Sequence, residues 1–319
     1  MKITFNPRKF LLLQYEHPNV KIIDLQTATV SYKLIKKVKD DRFDEDLLHQ
    51  YDLLVQTGPK DFQVAIIDSK DNRMLVLEDY AMGNVQSHAE LLQTLKDLFD
   101  AHALLKAGFW KSVKIGIKNN KFCQIPESLF VESSAFNYLK FNATVDESKE
   151  KVISCKNVSG SSVTVFAVQE DLHSWLSSIY KNTLHHFFHQ STALIEGVLK
   201  QSNRKENPLY IYVDRFKLHV LSAQQGKLIY YNQFAIKQFP DYVKYIMLVL
   251  NGLNMDQHNS EIILWGYIGK KSSHYQELAK YIRNVTFGER PGYLKFSYLF
   301  DEVQEHHFFD LYSLQLLHA

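Results

Sequence analysis

Cysteine, long apolar runs and net charge are all scarce in this 319-residue chain, and each scarcity closes off a class of function. The two cysteines, Cys123 and Cys155, have no metal-ligand spacing and are too few for a disulfide framework. They are expected as buried apolar thiols in a reducing compartment. The apolar run at 10–13 is only four residues, far short of a signal-peptide core or a membrane span, so a cytoplasmic protein without a membrane span is expected. A net charge of +2 gives no global field that would draw nucleic acid or an anionic membrane. G-x-S-x-G, P-loop and H-E-x-x-H patterns do not occur.

What is present is apolar and aromatic content, 45% and 13%, enough to exclude a largely disordered chain and to fill two domains or one duplicated domain. Leu209, Ile211 and Val213 alternate with Tyr210, Tyr212 and Asp214, and Phe216, Leu218 and Val220 continue the alternation. This is the period of a half-buried strand. After the turn signal Ala223-Gln224-Gln225-Gly226, a third strand over 227–232 completes a meander. Residues 51–55, 62–68 and 73–79 read as the same three strands. A helical period follows each meander, at Leu91, Leu92, Leu95, Leu98 and Phe99 and at Val243, Ile246, Met247 and Leu250, and then a strand, 113–117 and 261–264. Two such units, offset by roughly 155 residues, fit a duplicated domain with mixed sheets covered by helices.

The duplication resembles the actin-like ATPase superfamily, whose two ribonuclease-H-like halves clamp a nucleotide. More specifically, F-Q-V-A-I-I-D-S-K-D-N-R-M-L-V-L-E-D-Y and Y-I-R-N-V are similar to a Bacteroidetes family of unknown function, DUF3822, whose members look like degenerate relatives of the pilus protein PilM and the division protein FtsA. The resemblance implies a mixed α+β and α/β fold of two similar halves. On it the chain divides into an extension over 1–42, a first half over 43–207 and a second half over 208–319. A small βαβα subdomain around 150–200 is expected as an addition outside the nucleotide-contacting core, made of a strand at 163–168, a helix at 171–180, a strand at 184–189 and a helix at 192–199 capped by Ser191. Further expectations are an extended edge at 124–126, a helix over 128–139, loops at 146–151 and 157–162, a helix at 273–282 and a strand at 296–299. The last helix, 308–317, reads as core packing rather than a membrane foot, because Asp310 interrupts its apolar face and no lysines flank it.

In active members of the superfamily an Asp-x-Gly turn in each half holds the phosphates. Glycine admits backbone donors and aspartate orients Mg²⁺. Here the first turn reads Gln56-Thr57-Gly58-Pro59-Lys60 and the second Val213-Asp214-Arg215-Phe216. Glutamine replaces the first carboxylate, Pro59 removes a donor, and Arg215 replaces a small residue. The adenosine-side stretch, Leu264-Trp265-Gly266-Tyr267-Ile268-Gly269, has bulk between its glycines. The candidate cleft residues are therefore Thr57, Gly58, Lys60, Asp214, Arg215 and Gly266. Lys60 and Arg215 would face each other and could hold an anion without metal. No metal site or catalytic residue is assigned: His185, His186 and His189, then His306 and His307 beside Glu302 and Glu305, and Glu78 with Asp79 all read as structural or solvated groups. Three readings stay open. The first is a non-catalytic scaffold with no cofactor, the second an ATPase or phosphotransferase that binds ATP through Asp214, and the third a module for a protein partner or self-association that uses Tyr230, Tyr231 and Phe234 or the inserted subdomain.

Overall fold

The computed structural model describes residues 31–83, 85–157, 162–202, 208–215, 217–238 and 240–318. The strand pieces expected within 1–30, most of the 157–162 loop and Phe216 lie outside the described residues. In chain order the first half runs Tyr32–Lys39 (β1), Tyr51–Thr57 (β2), Asp61–Asp68 (β3), Arg73–Met82 (β4), His88–Ala101 (α1), Ser112–Ile117 (β5), Phe122–Pro126 (β6), Ala135–Lys140 (α2), Glu150–Lys156 (β7), Ser162–Gln169 (β8), Glu170–Ile179 (α3), His185–His189 (β9) and Gln190–Ser202 (α4). The second runs Leu209–Asp214 (β10), Lys217–Gln224 (β11), Lys227–Ala235 (β12), Asp241–Gly252 (α5), Ile262–Gly266 (β13), Ser273–Tyr281 (α6), Val285–Phe287 (β14) and Phe309–Ser313 (α7).

The duplication is visible in the strand order. One sheet is ordered β1-β4-β3-β2-β5-β9 and another β12-β11-β10-β13-β14. In both, an antiparallel meander is followed by two strands that join in parallel, β5 and β9 in the first and β13 and β14 in the second. The turn between β11 and β12 places Gln225 at φ 49° and Gly226 at φ 72°, the two left-handed residues that match a tight hairpin to strand twist. Ser87 caps α1 by accepting from the Glu90 N–H, and Leu95, Leu98 and Phe99 turn its apolar face onto the first sheet.

Both faces of each central strand are covered, so β2 and β10 are buried along their whole length rather than half-buried. On the first sheet Leu53, Val55, Val64 and Ile66 pack with α1 and α3, and Leu54, Ala65 and Ile67 pack with Leu311, Tyr312 and Leu314. On the second sheet Leu209, Ile211 and Val213 pack with α5 and α6, and Tyr210, Tyr212 and Trp265 pack with Leu194, Ile195 and Val198 of α4. The helices α4 and α7 thus form a layer that both sheets share. The apolar residues of α7 are core, as Asp310 within it suggested.

Several expectations are corrected. Residues 32–39 are not part of an extension: β1 pairs antiparallel with β4, from Tyr32 opposite Met82 to Lys39 opposite Val76. The added subdomain is a three-stranded sheet ordered β6-β8-β7 with α2, whereas β9 pairs with β5 in the main sheet and α4 joins the shared layer. The strand–helix–strand–helix unit at 163–200 is therefore divided between the addition and the body of the first half. Residues 128–139 contain short 3-10 turns before α2, Glu150 and Lys151 already belong to β7, and the strand expected at 296–299 is replaced by a 3-10 turn at Tyr298–Glu302. No helix among the described residues is long and apolar enough to cross a membrane.

Candidate functional site

The carboxyl ends of β2, β5, β9, β10 and β13 point to one region, where the first hairpin turn, the second hairpin turn and α7 meet. Lys118 follows β5 directly and is fully buried. Its ammonium lies 2.9 Å from Asp61 Oδ2, 3.5 Å from Asp214 Oδ1 and 3.6 Å from Asp310 Oδ2. Arg215 completes the network with Nε at 3.2 Å from Asp61 Oδ2 and a terminal nitrogen at 3.1 Å from Asp79 Oδ2. Its guanidinium stacks over the Tyr267 ring at 4.4 Å, and the Tyr267 hydroxyl donates to Asp79 at 3.2 Å. The two hairpin turns are thereby tied together by ion pairs between groups of this chain.

Amides and a phenol finish the coordination of the carboxylates. Asp310 accepts from Gln56 Nε2 at 2.7 Å, Gln190 Nε2 at 2.8 Å and the Tyr212 hydroxyl at 2.5 Å. Gln190, at the start of α4, also donates to Asp214 Oδ2 at 3.0 Å. Burial alone would drive the Lys118 pKa down, but Asp214, Asp61 and Asp310 together hold it well above the ordinary lysine value. The Asp79 pKa is raised too, but here by burial, with Asp61 adding to it, against the pull of Arg215.

The residues expected at the cleft are only partly brought together. Asp214 and Arg215 are in the network. Arg215 adopts φ 36°, a left-handed conformation that costs about 1 kcal/mol or more for a side chain with a Cβ. Lys60 is exposed and does not face Arg215; the second cation on Asp61 is Lys118 instead. Thr57 and Gly58 line a neighbouring cavity of about 500 Å³. Gly266 serves backbone closure: at φ +89°, a Cβ would sit 2.1 Å from the Val213 carbonyl oxygen.

Gln56, taken from sequence as a lost carboxylate, is a donor to Asp310; a carboxylate there would repel it. Glu78 and Asp79 are not a pair. Glu78 accepts from Tyr80 at 2.6 Å and bonds His102 and Lys37, each at 2.8 Å, whereas Asp79 faces Arg215 and Tyr267. Sequence reasoning missed Asp61, Lys118, Gln190 and Tyr267, and it used Asp310 only as an argument about the last helix. The available signal was a charge inside an apolar run, as in Ile115-Gly116-Ile117-Lys118 and Phe308-Phe309-Asp310-Leu311.

The carboxylates that would face the Mg²⁺ of a bound nucleotide surround the Lys118 ammonium. Among the described residues no group of three or more His, Cys, Asp or Glu could hold a metal ion. His185 and His186 lie on β9, and His189 is buried against Phe122, with its ring nitrogens at Ser191 Oγ and the Asn119 carbonyl.

The paired sheets and the site between their strand ends define an actin-like ATPase fold. The profile of a protein family of unknown function, DUF3822, matches residues 40–285, and the chain belongs to that family. A Bacteroides thetaiotaomicron protein with an actin-like ATPase fold and unknown function is similar at TM-score 0.73 and 23% identity, over 86% of this chain and 99% of that one. The PilM-PilN type IV pilus biogenesis complex is similar at TM-score 0.58 and 10% identity, over 83% and 97%. At these identities the likeness establishes the fold alone. No curated protein matches the chain.

Proposed function

We propose that this protein is a non-hydrolysing actin-like scaffold, in which charges of the chain itself take up the centre of the cleft, and that it works by presenting surfaces to a protein partner. The observation that carries this reading is Lys118, fully buried and bonded or close to Asp61, Asp214 and Asp310. An ammonium so placed neutralises the carboxylates that a catalytic metal would need. Arg215 adds a second internal cation at the turn where small residues would let phosphate oxygens reach the backbone.

Two observations support a protein partner. One of the fold relatives is part of a protein–protein complex of pilus biogenesis. The added subdomain exposes Leu129, Val131 and Phe141, at 66%, 54% and 89%, large apolar groups that a domain without a partner has little reason to leave in water. By contrast, Tyr230 and Phe234 pack against the core of the second half and Tyr231 bonds His219 at 2.8 Å, which makes the third strand of that half a weaker docking surface.

The test is steady-state ATP hydrolysis by the purified chain with Mg²⁺, beside an Asp214→Asn variant. The reading expects background rates for both. Turnover in the parent that the variant loses would overturn it.

A further inference from the structure

We propose that the cavity beside the first hairpin turn binds a small organic monoanion with an apolar body, without metal, and that Lys217 and Thr57 are its polar anchors. The proposal rests on the metal-free reading of the cleft only in that Lys118 stays committed to its three carboxylates.

The cavity, about 500 Å³, lies between the turn at 57–59, the start of α1, the loop at 118–121 and the β8–α3 junction, with Lys217 entering from the second half. That size is within the range of small-molecule sites. Most of the polar groups on its wall already have partners. Lys118 is held by Asp61, Asp214 and Asp310. Lys121 meets both oxygens of Glu150 at 2.8 and 2.7 Å, His88 meets Asp171 at 2.6 Å, and Asn119 donates to the Ala167 carbonyl and accepts from the Lys121 N–H.

Two inward groups are left over. The Thr57 hydroxyl, on a residue only 4% exposed, has no hydrogen-bond partner among the described residues. The half-buried Lys217 ammonium has no hydrogen bond or ion pair among them either. Burial lowers the Lys217 pKa, against Asp214, its neighbour across the β10–β11 ladder, and then Asp61, while Lys118 acts in the same sense as burial, so a bonded anion would relieve a desolvated charge.

The character of the ligand follows from these two groups and the opposite wall. Both leftover groups can donate, so the ligand supplies acceptor oxygens. One of them is cationic, so it carries a single negative charge. A triphosphate would need several free cations and has only one here. The remaining wall is Val85, Leu91, Ile117, Val168 and Leu172, which favours a hydrocarbon body. A carboxylate on a short alkyl chain meets each requirement.

The experiment is calorimetric titration of the full chain with octanoate, its neutral analogue octanamide, acetate, inorganic phosphate and Mg²⁺–ATP. The same titrations are made on Lys217→Met and Thr57→Val. The expected result is one saturable octanoate site per chain, with octanamide, acetate and phosphate weaker by about tenfold or more and a similar loss in Lys217→Met, the size of one charged hydrogen bond. Thr57→Val should weaken octanoate with no loss of thermal stability, because it removes a hydroxyl that has no partner. Equal binding of octanoate and octanamide, unchanged binding in both variants, or no saturable octanoate binding at millimolar concentration would each overturn the proposal. Mg²⁺–ATP binding would instead count against the metal-free reading, and the Lys217→Met titration would still decide this one.

Discussion

Removing the Lys118 ammonium leaves Asp61, Asp214 and Asp310 facing one another where water does not reach. Breaking a buried ion pair by deleting one partner costs about 3–5 kcal/mol, so Lys118→Met should lower unfolding free energy by that order in urea titrations. A loss below about 1 kcal/mol would contradict this role for Lys118. The buried histidines predict a pH dependence. Burial and Lys217 push the His189 pKa well below its ordinary 6.5, against the hydrogen bond at the Asn119 carbonyl, and burial, Lys217 and Lys118 do the same for His219. Both are neutral in the fold and take a proton only on unfolding, so stability should be full above the unfolded value and fall as pH drops below 6.5. Glu78 extends the loss. Burial raises its pKa, but hydrogen bonds from His102, Lys37 and Tyr80 outweigh that and bring it to about 2, so its contribution fades as pH falls below 4.5. Urea midpoints measured from neutral to acidic pH check this, and a flat profile between about pH 7.5 and 5.5 would contradict it. At this scale the sequence was only partly legible. Asp214, Arg215 and Gln56 could be read because they occupy turns with a known pattern. Lys118 and Asp310 could not be joined, since they are far apart in sequence and only the packing of α7 brings them together.

The crossing of α4 and α7 ties the two sheets to one layer, and Gly197 permits it. A Cβ there would sit 2.2 Å from Ser313 Oγ and 2.8 Å from Phe309 Cζ, while Phe309 stacks on Trp265 at 4.2 Å. Gly197→Ala should therefore destabilise by about 1–3 kcal/mol, despite alanine's better helix propensity, and thermal unfolding measures it. A stabilised variant would show that the crossing has room to spread. The helix itself was legible, over 192–199, but its place was not. Gln190, Ser191, Thr192 and Glu196 are buried along with Leu194, Ile195, Val198 and Leu199, so polar and apolar faces alike are covered. In the same way, residues 184–189 could be read as a strand without indicating which sheet it would join. The Ser191 hydroxyl, expected to cap the helix, pairs with His189 at 2.7 Å.

For the whole molecule, repetition was the most readable feature. Two meanders, each followed by a helix and a strand, became two sheets of matching order. What repetition could not supply was the state of the cleft, which depends on pairs such as Arg215 with Asp61 and Asp79, one partner from each half. Each half alone would leave unpaired charges at its strand ends, so the ion pairs and the shared helical layer make the halves interdependent. The measurement that bears most directly on this account is titration of the purified chain with Mg²⁺–ATP and Mg²⁺–ADP, followed by calorimetry. With Lys118 and Arg215 holding the centre of the cleft, no saturable heat is expected at millimolar nucleotide. Saturable micromolar binding that requires Mg²⁺ would contradict the account, because it would require those cations to leave their carboxylates and the two turns to part.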